Sequence, residues 1–413
     1  MSVQTAAAPL IAPRHIGADF SKVVSELNVR FFERGEEIQA LACTMLAKQH
    51  GFILGAPGTG KSNMVEELCL SIKGAKYWDI LMDRQLGKEE SFGATDIALY
   101  EQTSKNGQKG IWQRDTEDTL LDAHVVFVDE VGKAGPASLN PYLRAFNERK
   151  FRNGKTILDL PLITAIGASN EYLEPELAAM WDRFLTRLRV SYIEQDSNFA
   201  ALLDTAVAKN VIATTRTTID MIDFQHAVDF GVPAVKIPPG VIDSIVKLRK
   251  QLRVEEVIPS DRRWKQAVRL LQAAAYLRGA AVVDDDDVAI LQHCLWDVEA
   301  QIPIVQKKVL ALTSPITKKA LDLEEMLNEI STHVDSLKGK NNDDRAQYGG
   351  EAQFKVKEIQ KEIAKLTEEA HRQGRTTARL DAVQAGIKAL KVKIYVDTLN
   401  VPEDRAARMA GRD

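Results

Sequence analysis

Short, wholly apolar runs alternate with stretches of helical spacing through the first two thirds of the chain, and long heptad-like stripes fill the last third. Phe52-Ile53-Leu54, Val125-Val126-Phe127-Val128 and the run 162–168 are too short for helices and apolar throughout, as expected of strands buried on both faces of a parallel sheet. Residues 77–82 are a further strand candidate. Ahead of the first run, residues 20–50 read as helical with a break near Gly35. There Ile38, Leu41, Ala42, Met45 and Leu46 make a stripe suited to packing on the first strand. Helices are predicted over 64–72 and 139–149. Two polar insertions read as hairpins, one over 94–115 turning at Asn106-Gly107, the other over 151–157 with Asn153-Gly154 at its tip.

Beyond residue 300 the period changes. Ile316, Ala320, Leu323, Leu327, Ile330, Val334 and Leu337 recur at spacings of four and three, as do Val356, Ile359, Ile363, Leu366 and Ala370, and then Leu380, Val383, Ile387, Leu390 and Ile394. Three helices with one apolar face each, separated by linkers at 338–350 and 372–375, predict a helical hairpin or three-helix bundle.

Composition narrows the class without naming a chemistry. A chain of 413 residues, 45% hydrophobic and 27% charged, is long enough for two or three globular domains. The net charge of −4 argues against a surface built to coat nucleic acid. Cys43, Cys69 and Cys294 lie in apolar helical surroundings with no metal-like spacing, which predicts buried, reduced thiols. No apolar run approaches the ~18 residues of a membrane span and no signal pattern opens the chain, so a cytoplasmic location is expected.

The candidate chemistry begins at Gly55-Ala56-Pro57-Gly58-Thr59-Gly60-Lys61-Ser62, followed by Asn63. Glycines let successive backbone N–H groups turn inward around a phosphate. Lysine then reaches the β and γ phosphates, and serine offers a hydroxyl to Mg²⁺. The run ending in Asp129-Glu130 places two carboxylates at the carboxyl end of a buried strand, where an open α/β sheet holds its ligand. Asp129 is expected to hold Mg²⁺ through water, and Glu130 to act as general base on the attacking water. Asn170, at the end of the next buried strand, is placed to reach that water or the γ-phosphate; a turn-capping role is its alternative. The four aspartates 284–287 invite a metal reading, but they precede the apolar periodic run 288–298, where carboxylates cap a helix. His293, within that run, reads as a packing or surface residue.

The order of these parts, continued by Trp181-Asp182-Arg183-Phe184, resembles the AAA+ ATPases of the MoxR family, and the stretches 128–137, 146–154 and 260–265 look like its RavA branch. The resemblance implies a P-loop NTPase (AAA+) α/β core with a parallel sheet, an α-helical lid and a C-terminal helical extension. In residues, these are a tail over 1–20, a core over 21–200, a lid over 201–302 and an extension over 303–413. It implies ATP and Mg²⁺ as cofactors and a ring, expected to be a hexamer, that remodels, activates or assembles a partner protein. In such rings an arginine from the neighbouring subunit meets the γ-phosphate. Arg183 matches that finger best, with Arg187 second, and Arg262, ahead of Arg263, matches the sensor-2 arginine. Proteins with a von Willebrand factor A (vWA) domain are the partners the family suggests. The polar linker 338–351 is too short for the small β domain that RavA-type proteins insert there. A nucleic-acid-dependent motor is the rival, since related helicases share hairpin insertions and Lys105, Lys109, Arg152 and Lys155 could meet phosphates. The acidic net charge and the lack of a recognisable DNA-binding module oppose it.

Overall fold

The computed structural model describes residues 14–83, 88–104, 109–207, 216–313, 315–336, 342–373, 377–399 and 401–410. Two compact units, Met1–Gln306 and Lys307–Asp413, divide the chain. In the first, helices α1 (Gly17–Arg30) and α2 (Gly35–Leu46) precede strand β1 (Gly51–Gly55), and α3 (Lys61–Leu70) follows the glycine-rich loop. Next come β2 (Ile72–Lys73), β3 (Tyr77–Leu81), α4 (Lys88–Phe92), α5 (Ile97–Thr103), β4 (Val125–Asp129) and α6 (Pro136–Glu148). A hairpin of β5 (Lys150–Asn153) and β6 (Thr156–Asp159) leads to β7 (Thr164–Ser169), α7 (Ala178–Trp181), β8 (Thr186–Val190), α8 (Asp196–Val207) and β9 (Ile219–Asp220), which pairs with β2.

Five strands form one parallel sheet in the order β3-β4-β7-β1-β8. Ile53 of β1 lies opposite Ala168 of β7 and Leu188 of β8. Because every strand runs the same way, the carboxyl ends of β1, β4 and β7 share one edge, and Gly55, Asp129 and Asn170 arrive there together. The apolar runs are buried as their composition requires: Phe52, Val126, Val128, Ala165 and Phe184 belong to one core with Leu139, Tyr142 and Phe146 of α6. All three cysteines are free and buried.

His50, just before β1, locks this sheet to α6. Its Nε2 lies 2.7 Å from the Phe146 carbonyl and its Nδ1 accepts from the Ala165 N–H at 2.9 Å, so Nε2 carries the proton. Burial, with Arg149 nearby, pushes its pKa down from 6.5 to about 3. The unfolded chain takes up a proton near pH 6.5 that the folded imidazole refuses, so His50 withdraws stability as pH falls from about 6.5 toward about 3. The expected loss is on the order of 2 kcal/mol by pH 5. Urea midpoints at pH 7 and 5 measure it, and His50→Gln should flatten the dependence.

The rest of the first unit is helical: α9 (Met221–His226), α10 (Val232–Ala234), α11 (Pro239–Val254), α12 (Asp261–Leu277) and a 3-10 helix Asp287–His293. Ser260 caps α12 by accepting from the Arg263 N–H at 3.2 Å. The division between the units falls within α13 (Ile302–Leu310).

In the second unit, α14 (Pro315–Ser336), α15 (Asn342–Gln373) and α16 (Ala378–Asp397) share one core containing Ile316, Leu327 and Val334 of the first stripe, Val356 to Ala370 of the second and Leu380 to Ile394 of the third. A further helix, α17 (Glu403–Ala410), packs Ala406 and Ala410 on Tyr395. Among the described residues no helix is long and apolar enough to cross a membrane.

Three local expectations are corrected. The insertion at 94–115 is not a two-stranded hairpin: its first arm is α5, capped by Asp96, whose Oδ1 accepts from the Leu99 N–H at 2.9 Å. Among the described residues of the insertion only Thr95 and Arg114 pair as a bridge, and Asn106-Gly107, like Lys105, lies outside them. The run 288–298 is a short 3-10 helix rather than a longer α-helix. Of the linker expected over 338–350, residues 338–341 lie outside the described residues and 342–350 begin α15, where Tyr348 packs against the bundle core and Arg345 donates to the Asp397 carbonyl at 2.9 Å. The β5–β6 hairpin stands as expected, with Asn153 opposite Thr156.

Candidate functional site

The glycine-rich loop is held from beneath and open above. A methyl group on Gly55 would lie 2.3 Å from the Val190 carbonyl oxygen of β8, so only glycine lets the two backbones pass. Gly58 and Gly60 adopt left-handed backbone, φ 78° and 81°, which turns the chain back on itself before α3. A Cβ on Gly58 would meet nothing within 4 Å, so that side of the loop is free for a ligand. Gly60 is the N-cap of α3 and has no side chain to satisfy the first-turn N–H groups, which leaves them available to an anion. Within the loop Thr59 Oγ1 donates to the Ala56 carbonyl at 2.9 Å, and the Tyr192 hydroxyl reaches the Pro57 carbonyl at 3.3 Å. We expect Gly55→Ala to displace the loop and weaken nucleotide binding at least about tenfold, one decade being about 1.4 kcal/mol. A fluorescent-nucleotide titration measures the loss.

Lys61, buried at the start of α3, donates to the Gly55 carbonyl at 2.6 Å, the Ala56 carbonyl at 3.1 Å and Asn170 Oδ1 at 2.9 Å. Asn170 in turn donates from Nδ2 to Glu130 Oε1 at 2.7 Å. A continuous chain of hydrogen bonds therefore links loop lysine, strand-end asparagine and candidate base. Burial depresses the Lys61 pKa, opposed by the nearby Asp129 and Glu130 carboxylates, which favour its charge. Lys133 adds an ion pair to Glu130 at 3.6 Å. Glu130 has left-handed backbone, φ 53°, an unfavourable state for a residue with a Cβ, and Asp129 Oδ1 accepts its N–H at 2.9 Å. That kink turns the chain out of β4 directly after Asp129.

The site suits a Mg²⁺–nucleotide: the Ser62 hydroxyl and the Asp129 carboxylate are hard oxygen donors of the kind Mg²⁺ takes alongside phosphate oxygens and water. Asn63 lies exposed in the first turn of α3.

The arginines form a second cluster, away from the Lys61–Asn170–Glu130 chain. Arg183 is half-buried, donates to the Ala179 carbonyl and leaves its Nε without a partner. Burial and the neighbouring Arg262 both lower its pKa. Arg262 pairs with Asn147 and, at 3.8 Å, with Asp182, so it stands beside Arg183 rather than among the partners of Lys61. Arg187 is not placed as a finger. Its side chain is fully buried on β8, bonded to Asp297 at 2.6 Å and to the Trp181 carbonyl at 3.1 Å, with its guanidinium 4.1 Å from the centre of the Trp181 ring. Buried there, it cannot reach another subunit. Asp182 and Asp297, which organise this cluster, were not singled out from the sequence; only Asp182's place beside Arg183 hinted at a role. Two of the aspartates 284–287 are paired locally: Arg278 meets both Asp284 and Asp287 at 2.9 Å, and Asp284 Oδ1 accepts the Asp286 and Asp287 N–H groups.

Comparison with known proteins gives this arrangement its family. Residues 18–227 match the model of the "MoxR domain in the MoxR-vWA-beta-propeller ternary systems", and residues 240–309 match an AAA lid domain. Two uncharacterized proteins of Methanocaldococcus jannaschii are each 32% identical to this chain. One aligns over 82% of this chain and 86% of its own length, the other over 76% and 79%. The solved structure of a candidate ATPase from Cytophaga hutchinsonii shares the fold, with a TM-score of 0.56 at 17% identity, covering 72% of this chain and 95% of that one. The narrower RavA-like reading gains no support from these matches. A parallel sheet with the glycine-rich loop after β1, an acidic pair at the end of β4, a helical lid and these relatives together place the chain in the MoxR family of AAA+ ATPases.

Proposed function

We propose that the protein is a cytoplasmic, Mg²⁺-dependent ATPase that works as a ring, expected to be a hexamer, and uses hydrolysis to remodel, activate or assemble a partner containing a vWA domain. The observation that carries the enzymatic part is the hydrogen-bonded chain Lys61–Asn170–Glu130, which brings a phosphate-binding cation and a base to one strand edge. The first-turn N–H groups of α3 and Lys61 bind the phosphates; Ser62 and Asp129 hold Mg²⁺, which when bound offsets charge on the β and γ phosphates. Glu130 orients a water and takes its proton, and Asn170 positions that water. Arg183 and Arg262 form a cationic edge that a neighbouring subunit's γ-phosphate would satisfy. Three arginines, Arg187, Arg262 and Arg263, share two carboxylates there and Arg183 stands beside them, so the edge has positive charge to offer.

The partner reading rests on the description of the matching family model, which names vWA and β-propeller components. Its test is affinity capture with the Glu130→Gln chain in ATP, which should enrich a vWA-domain protein that Lys61→Ala does not. Equal recovery on both baits would end the partner reading. Absence of Mg²⁺-dependent hydrolysis at concentrations where rings form would end the ATPase reading.

A further inference from the structure

Two arginines far apart in sequence converge on a single oxygen. Arg187, from β8 of the sheet, and Arg263, from the first turn of α12, donate to Asp297 Oδ1 at 2.6 and 2.9 Å. Asp297 lies in the segment after the 3-10 helix and is itself fixed, its N–H donating to Gln301 Oε1 at 2.8 Å. Arg263 continues the connection: the nitrogen that reaches Asp297 also lies 3.6 Å from Asp182 Oδ1. Asp182 Oδ2 then meets Arg262, and the residue after Asp182 is Arg183. Burial opposes ionisation of Asp297, yet its hydrogen bond from Arg263 and the charges of both arginines hold its carboxyl below the usual range, so it stays anionic. Arg263 is 3% exposed and leaves Nε and Nη1 unpartnered, so its two carboxylates supply what holds it.

We propose that Asp297 is a positioning residue for the arginines offered to the neighbouring subunit, acting through Arg263 and Asp182 to set where Arg183 and Arg262 stand. The inference rests on the reading that Arg183 acts across a subunit boundary. Without the Asp297 charge, Arg187 is left buried and unpaired, and Arg263 transfers its whole interaction to Asp182, competing with Arg262. The arginine cluster, just before the amino end of β8, shifts while the loop at Gly55–Ser62, at the carboxyl end of β1, keeps its own bonds.

In the full-length chain, Asp297→Asn should lower kcat about 10- to 100-fold, the penalty of a misplaced transition-state group. The KM for ATP should change less than about twofold, because ground-state binding at the same subunit's loop is intact. Mixed rings supply the deciding measurement. Glu130→Gln subunits cannot turn over at their own loop but carry intact arginines. Mixed with Asp297→Asn subunits, they should restore turnover above the sum of the two separate proteins, at sites pairing a working loop with a working arginine edge. Arg183→Ala mixed with Glu130→Gln is the control. Restoration in the control but not with Asp297→Asn overturns the inference while leaving the across-boundary reading intact. Failure of both overturns that reading and the inference with it. Should the Asp297→Asn chain not fold, Arg263→Gln breaks the same link from its other end and must give the same kcat loss and the same restoration; normal turnover there also overturns the proposal.

Discussion

Replacing Glu130 with Gln should abolish turnover while leaving ATP bound. Glutamine keeps the shape of the side chain and can still meet Asn170, so the strand end and the loop are undisturbed, but it cannot accept a proton from water. Loss of a positioned base costs about 10²–10⁴-fold in rate, or about 3–5 kcal/mol of barrier. The ion pair with Lys133 is lost too, but Lys133 is largely exposed and the pair contributes little. Phosphate release under saturating ATP measures the fall, and equilibrium nucleotide titration checks that affinity is retained. Turnover within about tenfold of the parent would remove Glu130 from the role of base.

The largest stability effect is expected at Arg187. Arg187→Met leaves an apolar side chain of comparable length over Trp181 but strips the cation from a fully buried position. Removing one partner of a buried pair typically costs about 3–5 kcal/mol. Here Asp297 keeps Arg263 and its side chain is 40% exposed, so a loss of about 2–4 kcal/mol is the better expectation. The Trp181 carbonyl also loses one of its two donors, keeping the Phe184 N–H. Thermal or urea unfolding should show a clear fall, whereas Arg189→Met, on the exposed pair with Glu299, should change stability by less than about 1 kcal/mol. Equal effects at the two positions would contradict the buried clasp.

That contrast marks what could be read from the chain. Buried strands announce themselves through unbroken apolar runs, and the glycine-rich loop through spacing that few other structures require, so Lys61, Glu130 and Asn170 were legible as candidates before any geometry. The heptad stripes fared equally well, because a helix buried on one side leaves a periodic record. Arg187 and Arg189 share the same alternation along β8, yet one is buried and the other exposed. The difference is made by Trp296 and Asp297, 109 and 110 positions away, which no local pattern encodes. The insertion at 94–115 failed for the opposite reason: Asn106-Gly107 is a strong turn signal, but the Asp96 cap starts a helix before the chain reaches it. At 338–350 a polar composition suggested a linker, while packing of the partly buried Tyr348 on the bundle core goes with helix over 342–350.

The mutual satisfaction of Lys61, Asn170 and Glu130 also bears on the tempo of the cycle. In the proposed cycle, a cation, amide and carboxylate that serve one another compete with phosphate for the same partners. Incoming ATP must break the Lys61–Asn170 contact before the lysine can turn to phosphate, which weakens capture by the net value of that bond, about 1 kcal/mol or roughly fivefold in affinity. Departing ADP is replaced by the same contact, so release is assisted by about as much. On the proposed reading, a lysine engaged in this way favours rapid exchange over tight retention.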